Sequence, residues 1–260
     1  MILAILQARL SSTRLPGKVI KPLLGKPMIL RQVERLKRVQ SIDHLLIATS
    51  IGPEDDALAA LCHENGVDCF RGSLDDVLDR FYQAARAVRP THVMRLTGDC
   101  PLTDPEILDR LAELHLTSGC DYSSTALEPS FPDGLDAELM TFSALEQAWR
   151  EATLPSQREH VTPFLYQNSE RFSIQVLKHE VDLSSLRWTV DEPSDFEFVS
   201  RVYEGLYPSN PRFGMRDILA FLERHQELAA LNHHFERNEG YEKSLRKDSE
   251  ILGPTHPKRS

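Results

Sequence analysis

"MILAILQARLSSTRLPGK", Met1 to Lys18, joins an unbroken apolar run to a loop with three cations and a cluster of hydroxyls. "MILAIL" shows no polar alternation, which is the pattern of a strand covered on both faces. It has no basic stretch before it and no small-residue cleavage site after it, so it reads as a strand rather than a leader. The loop that follows places Arg9, Arg14 and Lys18 beside Ser11, Ser12 and Thr13. A cationic loop at the carboxyl end of a buried strand usually holds an anion. The plain alternative is a solvated basic surface, since exposed charge needs no ligand.

Outward from that stretch, strand and helix alternate. "GKPMILRQVERLKRV" has apolar residues at near-helical spacing, and "HLLIATS" is a second strand. "PEDDALAALCHENG" is a helix with Pro53 early and Gly66 at its end. "VDCFRG" is a short strand. "SLDDVLDRFYQAARAV" is a helix whose Ser73 and Asp76 have capping-box spacing. "THVMRLTG" is the next strand. "DPEILDRLAELH" is a helix with Asp104 as cap and Pro105 at its first position. This order predicts an α/β fold with a doubly wound, mostly parallel sheet. Ligands of such sheets bind outside the carboxyl ends of the strands, where both "QARLSSTRLPGK" and "RLTGDCP" fall.

From 120 to 186 the alternation weakens into an inserted α+β arm. "CDYSSTA", "FPDGLDAEL" and "RFSIQVL" read as strands, and "FSALEQAWREA" and "SQREHVTPFLYQN" as helices. "LRWTVDEP" returns to a strand, and "SDFEFVSRVYEGLY" is a helix with Ser194 and Glu197 at capping-box spacing. The main domain spans 1–232, and a polar tail runs from 233 to 260.

A net charge of -9 argues against non-specific binding to nucleic acid or to an anionic membrane. No apolar stretch reaches the roughly 20 residues that span a bilayer. Cys62, Cys69, Cys100 and Cys120 show no metal-binding spacing and read as free thiols of a cytoplasmic protein. The pair His233-His234 lacks partners at a convincing spacing, so no zinc site is proposed.

Two familiar phosphate loops are absent. A Walker A motif needs glycine where Ser12 stands and a hydroxyl where Val19 stands, and no G-x-G-x-x-G occurs. What remains is a loop of hydroxyls, backbone N–H groups and three cations, matched to a triphosphate. Asp99, at the end of an apolar strand, would be a poor neighbour for phosphate unless a divalent cation lay between them. Mg²⁺ takes one or two carboxylates with phosphate oxygens, so Asp99 is a candidate ligand and Asp191 in "RWTVDEP" a second. Capping of the next turn is the plain alternative for Asp99. Asp195, in a first helical turn, has a plain dipole role.

"QARLSSTRLPGK", "GKPMI", "RGSLDDVLDRF", "RLTGDCPLTDP" and "WTVDEPSDFE", in this order, resemble the cytidylyltransferases that activate 2-keto-3-deoxy sugar acids. These include the CMP-Kdo and CMP-acylneuraminate synthetases, and the chain looks most like the branch named for spore-coat polysaccharide biosynthesis protein F. It spans roughly residues 1–205. The resemblance implies a GT-A-like nucleotide-diphospho-sugar transferase fold, CTP as nucleotide, Mg²⁺ as cofactor, an acidic sugar as acceptor and a homodimer. It places Gln7 and Ala8 near the cytosine, and Arg9, Ser11, Arg14 and Lys18 around the triphosphate. Asp99 and Asp191 match the metal positions, with Arg9, Lys18 and Asp99 as the catalytic set. Arg71 and Ser73 match a segment near the nucleotide, although a plain strand-to-helix turn would use them too. "GDCP" departs from the Gly-Asp-Glu-Pro of the Kdo enzymes.

The acceptor residues are sought in "FPDGLDAE" and "SQREHVTP". A sugar carboxylate needs a cation, which Arg158 or His160 could supply, while Asp133, Asp136 and Glu138 could bind hydroxyls. Against this, Asp133-Gly134 is an ordinary turn signal, Ser156 and Glu159 have capping-box spacing, and His160 could simply pack. Trp188 reads as core. The expected reaction is cytidylyl transfer to a sugar acid for surface polysaccharide biosynthesis. The alternatives are another sugar nucleotidyltransferase or glycosyltransferase on the same fold, or a non-catalytic nucleotide-binding homologue.

Overall fold

Four parallel strands form the half of the sheet that carries the opening loop: β1 (Ile2–Gln7), β4 (His44–Ser50), β5 (Asp68–Gly72) and β6 (His92–Thr97), in the spatial order β5-β4-β1-β6. The order continues through β8 (Glu138–Thr141), β7 (Tyr122–Ser124) and β9 (Ile174–Val176). In this sheet only β8 runs against its neighbours. Two-residue strands β2 (Pro22–Leu23) and β3 (Lys26–Pro27) make a separate hairpin. The computed structural model describes residues 1–12, 14–232, 237 and 239–252.

Helices cover both faces because alternate residues of the strands face opposite cores. Ile2, Ala4 and Leu6 of β1 join α1 (Met28–Leu36), α2 (Asp56–Glu64), α4 (Pro105–Ser118), α8 (Pro193–Leu206) and α9 (Met215–Arg224) in one core. Leu3 and Ile5 face the other, with α3 (Val77–Val88), α5 (Phe142–Glu151) and α7 (Pro163–Gln167). Leu3, Ile5 and Leu6 are wholly buried, and each such side chain contributes roughly 1.5–3 kcal/mol. An unbroken apolar strand is what two cores require.

The parallel half follows the expected boundaries closely. Asp104 caps α4 by accepting from the Glu106 N–H at 2.9 Å, and Pro105 takes the first helical position. The α3 start is corrected: Asp76, not Ser73, is the cap, accepting from the Asp79 N–H at 2.9 Å, while the Ser73 Oγ accepts from the Asp76 N–H. Trp188 is 1% exposed and belongs to the core, as expected. All four cysteines are free, with Cys62, Cys100 and Cys120 buried.

The second half departs further from expectation. "FPDGLDAEL" is strand only from Glu138, and "LRWTV" is not a strand. These two loops pair with each other: the Asp133 N–H donates to the Leu186 carbonyl, and the Trp188 N–H to the Asp133 carbonyl. Their one bridge, Asp133 to Arg187, is too short to count as a ladder. Gly134 makes the approach possible, with φ +108° and a Cβ position only 2.5 Å from the Thr189 nitrogen. "SQREHVTPFLYQ" splits at Val161, which has φ +72°, into α6 (Pro155–His160) and α7. Helix α8 begins at Pro193, and Asp195 rather than Glu197 accepts from the Glu192 N–H, so the Ser194–Glu197 reading is corrected. Ser156 likewise lies inside α6 rather than capping it.

After α10 (Gln226–Ala229), the stretch read as a polar tail contains α11 (Glu239–Leu252). It packs on α6, where Asp248 accepts from the Ser156 N–H at 2.9 Å and the Ser244 hydroxyl meets His160 and Glu159. His233 and His234 lie outside the described residues. Among the described residues no helix is long and apolar enough to cross a membrane.

Candidate active site

Strands β1 and β6 pair so that Gln7 lies opposite Thr97, and both loops leave the sheet at the same level. The Gly98 N–H donates to the Gln7 carbonyl at 2.7 Å. A Cβ on Gly98 would sit 2.9 Å from the side chains of Ala8 and Ile29, so glycine is what lets the two loops touch. Asp55, wholly buried in the 3-10 turn Pro53–Asp55 that follows β4, accepts from the Leu10 N–H at 2.7 Å and from the Ser50 hydroxyl at 2.5 Å. It ties the opening loop to the neighbouring strand. The resulting cleft holds about 210 Å³ and is lined by Gln7, Arg9, Arg14, Lys18, Asp99 and Asp191, with Ala8 and Ser12 beside them.

Lys18 is the centre of this cleft. Gly17, with φ +68°, turns the chain into a short 3-10 turn from Lys18 to Ile20. The Lys18 ammonium then donates to Asp99 at 2.9 Å, to Asp191 at 2.8 Å and to the Val190 carbonyl at 2.7 Å. Burial works against its charge, but the two aspartates outweigh burial and raise its pKa. Burial alone would also push the Asp99 carboxyl up; Lys18, helped by Thr97, instead holds it down at about 2. Arg14 joins the same group, 3.0 Å from Asp191 and 3.5 Å from Glu192.

Asp191 is held from behind. Arg187 grips Asp195 with two bonds of 2.9 Å, and Asp195 accepts from the Asp191 and Glu192 N–H groups, also at 2.9 Å. Asn232 adds a further 2.9 Å bond to Asp195. The Val190 N–H donates to the Asp99 carbonyl at 2.8 Å, which brings the two aspartates together although neither segment is paired as a strand there. Asp195 is therefore more than a favourable charge at a helix start: it is the fully buried pivot of the loop.

The donor set fits Mg²⁺. Asp99 and Asp191 already converge on one cation, and Mg²⁺ takes one or two carboxylates together with phosphate oxygens and water. Among the described residues no group of three or more His, Cys, Asp or Glu could hold a metal on protein ligands alone. Gln7 presents a buried Oε1 with no hydrogen-bond partner among the described residues, an acceptor still open to a donor.

A second cavity of about 480 Å³ adjoins the cleft and shares Arg14, Thr97, Asp99 and Asp191 with it. Asp133, Asp136, Glu138 and His160, the residues sought for the acceptor, line it. Burial pushes the Asp136 carboxyl up to about 7, with Arg237 opposing and Asp133 and Glu138 adding to the rise. Burial likewise raises Asp133 against Arg237 and Arg187. Burial lowers His160 to about 4, assisted by Arg95, so this imidazole is neutral near pH 7.

Several expected residues take structural places instead. The Arg158 guanidinium turns away to Asp76, at 2.5 Å, and to the Trp149 carbonyl, so it does not face the cavity. Arg71 bonds the Ser50 and Gly52 carbonyls and pairs with Asp56, fastening β5 to the loop after β4. Ser73 shapes the entry to α3. The Ser11 hydroxyl is buried without a partner among the described residues, and Ser12 lines the cleft. Sequence reasoning misses Asp55, Arg95, Arg187, Tyr122 and Thr162 entirely. Arg95 carries a signal, since it is a charge inside an apolar strand; Tyr122 and Thr162 acquire their roles through Glu138, 16 and 24 positions away, whereas Asp55 and Arg187 also have near partners in Ser50 and Asp195.

The family model for cytidylyltransferases matches residues 3–236. An uncharacterized protein of Methanocaldococcus jannaschii is 37% identical over 233 residues, covering 89% of this chain and 94% of its own. The spore coat polysaccharide biosynthesis protein SpsF of Bacillus subtilis is 34% identical over 235 residues, covering 88% of this chain and 96% of its own. Among solved structures, a cytidylyltransferase from Leptospira borgpetersenii superposes with a TM-score of 0.85 at 30% identity, covering 91% of this chain and 99% of that one.

Proposed function

The chain belongs to the cytidylyltransferase family, and from that premise we propose that it transfers CMP from CTP to the anomeric hydroxyl of a 2-keto-3-deoxy sugar acid. The observation that carries this reading is the shared wall of the two cavities, in which Asp99 and Asp191 face both. A triphosphate on the Gln7–Lys18 loop and a sugar in the larger cavity would meet across that pair. The name of the Bacillus relative points the product towards surface polysaccharide.

In this reaction the acceptor oxygen attacks the α-phosphorus in line, and the bond to the β-phosphate breaks as pyrophosphate leaves. Positioning and charge neutralisation supply the rate, without a covalent protein nucleophile. Arg9, Arg14 and Lys18 bring three positive charges to the leaving pyrophosphate. Asp99 and Asp191 would hold Mg²⁺, which when bound neutralises phosphate charge and lowers the pKa of the attacking hydroxyl. The open Gln7 Oε1 favours a cytosine, whose exocyclic amino group donates, over a uracil, which offers a carbonyl there.

The test is thermal stabilisation by CTP, UTP, ATP and GTP, with and without Mg²⁺. A ligand at one hundred times its Kd adds about 2.7 kcal/mol to stability. Selective stabilisation by CTP with Mg²⁺ is expected, followed by pyrophosphate release when 3-deoxy-manno-octulosonate or N-acetylneuraminate is added. Equal stabilisation by UTP would remove the role given to Gln7.

A further inference from the structure

The larger cavity has a cation with a donor that its own neighbours leave open. Arg187 is bound to Asp195 and reaches Asp133 and Asp191, while Arg14 is shared between Asp191 and Glu192. Arg95 is different. It stands opposite Glu138 in the β6–β8 register, and its Nη1 donates to Glu138. Its Nε is buried with no partner among the described residues. Glu138 meanwhile accepts from the Tyr122 hydroxyl at 2.5 Å and the Thr162 hydroxyl at 2.6 Å, so it holds one end of the guanidinium from a fixed position. A planar fork fixed at one end, with an unpaired buried Nε on a residue that lines the cavity, matches a carboxylate.

We infer that Arg95 anchors the carboxylate of the acceptor, and that the cavity selects a monoanionic sugar acid over a sugar phosphate. The inference rests on the reading of this cavity as the acceptor site. The two cations that the sequence offers for the carboxylate are unsuitable: Arg158 faces away from the cavity and His160 is neutral near pH 7. Arg14 and Arg187 also line the cavity but are held by Asp191, Glu192 and Asp195. Asp133 and Asp136 suit sugar hydroxyls and would oppose a phosphate dianion placed on Arg95, whose Nε is left open. One cation with a donor still open, among hydrogen-bond acceptors, suits one negative charge on a polyol.

The test uses the full chain and its R95M and R95K variants in calorimetric titrations. The probes are 3-deoxy-manno-octulosonate and N-acetylneuraminate, each as acid and methyl ester, and N-acetylglucosamine 1-phosphate, all with and without CTP. Wild type is expected to prefer acid over ester by roughly 10- to 100-fold, the range for a hydrogen bond between charged groups. R95M should lose that preference with ester binding unchanged, and R95K, which keeps the charge beside Glu138 but not the fork, should recover part of it. An acid preference retained in R95M, tighter binding of the sugar phosphate, or no acid binding by wild type would each overturn the assignment. CTP affinity is read separately in all three proteins: its loss in wild type overturns the nucleotide reading, whereas an unchanged value in R95M certifies that the variant is folded.

Discussion

Lys18 and Arg187 are both cations set among aspartates, one in the parallel half of the sheet and one beyond it. Lys18 bridges Asp99 and Asp191, whose side chains are 27% and 21% exposed and open into the cleft. Arg187 is locked onto Asp195, which has no exposure at all and which also collects two backbone N–H groups and Asn232. The first arrangement can be rebuilt when phosphate arrives; the second cannot be opened without dismantling a loop. Charge in the parallel half is thus kept available for ligand, and charge in the second half serves to hold a pocket wall in place. The two meet at Asp191, which Lys18 touches from the cleft and Arg187 approaches from behind, at 3.5 Å.

The sharpest way to break this contrast is to remove the locked carboxylate. Asp195→Asn leaves Arg187 buried without its counter-charge, and losing one member of a buried pair costs about 3–5 kcal/mol. At roughly 2–4 °C per kcal/mol for a chain of this size, the melting temperature should fall by about 6–20 °C. Thermal unfolding monitored by circular dichroism measures it. A fall of a degree or two would mean that Asp195 is held no more firmly than Asp99.

Lys18→Met tests the other half. It removes a charge from the cleft that the leaving pyrophosphate would use, and the expected loss in kcat is about 10²- to 10³-fold, as for removal of a single stabilising donor from a reacting site. The melting temperature should move less than in the Asp195 variant, because Asp99 and Asp191 can turn to cleft water. If Lys18→Met instead unfolds the protein as Asp195→Asn does, Lys18 is a structural cation and the contrast fails.

The same division explains what is readable in the sequence. Asp99, Lys18 and the other loop cations follow short, buried strands, so local apolar pattern places them at the ligand-binding edge. The boundaries of β4 and the Asp104 cap are legible for the same local reason. The sequence brings Asp191 to the cleft on a wrong premise, because "RWTV" is not a strand; this segment is held by the Val190 and Trp188 N–H groups on the Asp99 and Asp133 carbonyls, which sequence spacing does not reveal. Arg158 illustrates the reverse failure. Its helix is anticipated, but the partner that decides its direction, Asp76, is 82 positions away. Pocket walls made of long-range pairs leave little trace in any one segment.

Asp136 gives the contrast a pH signature. Its carboxyl is raised to about 7 in the folded protein, mainly by burial, against an ordinary value of 3.8. An acid whose folded pKa is raised binds its proton more tightly when folded, so its contribution to stability is present below pH 3.8 and lost as pH rises towards 7. Asp99 has the opposite sign: held at about 2, it contributes above pH 3.8 and loses that contribution as pH falls. Between pH 5 and pH 8 only Asp136 of these two is titrating. The melting temperature of the ligand-free protein should therefore decline across that interval through this group, and Asp136→Asn should flatten the decline. A profile whose slope is the same in the variant would show that Arg237, paired with Asp136 on the far side, already neutralises the carboxylate in full, and that this wall of the pocket is locked in the same way as the Arg187–Asp195 pair.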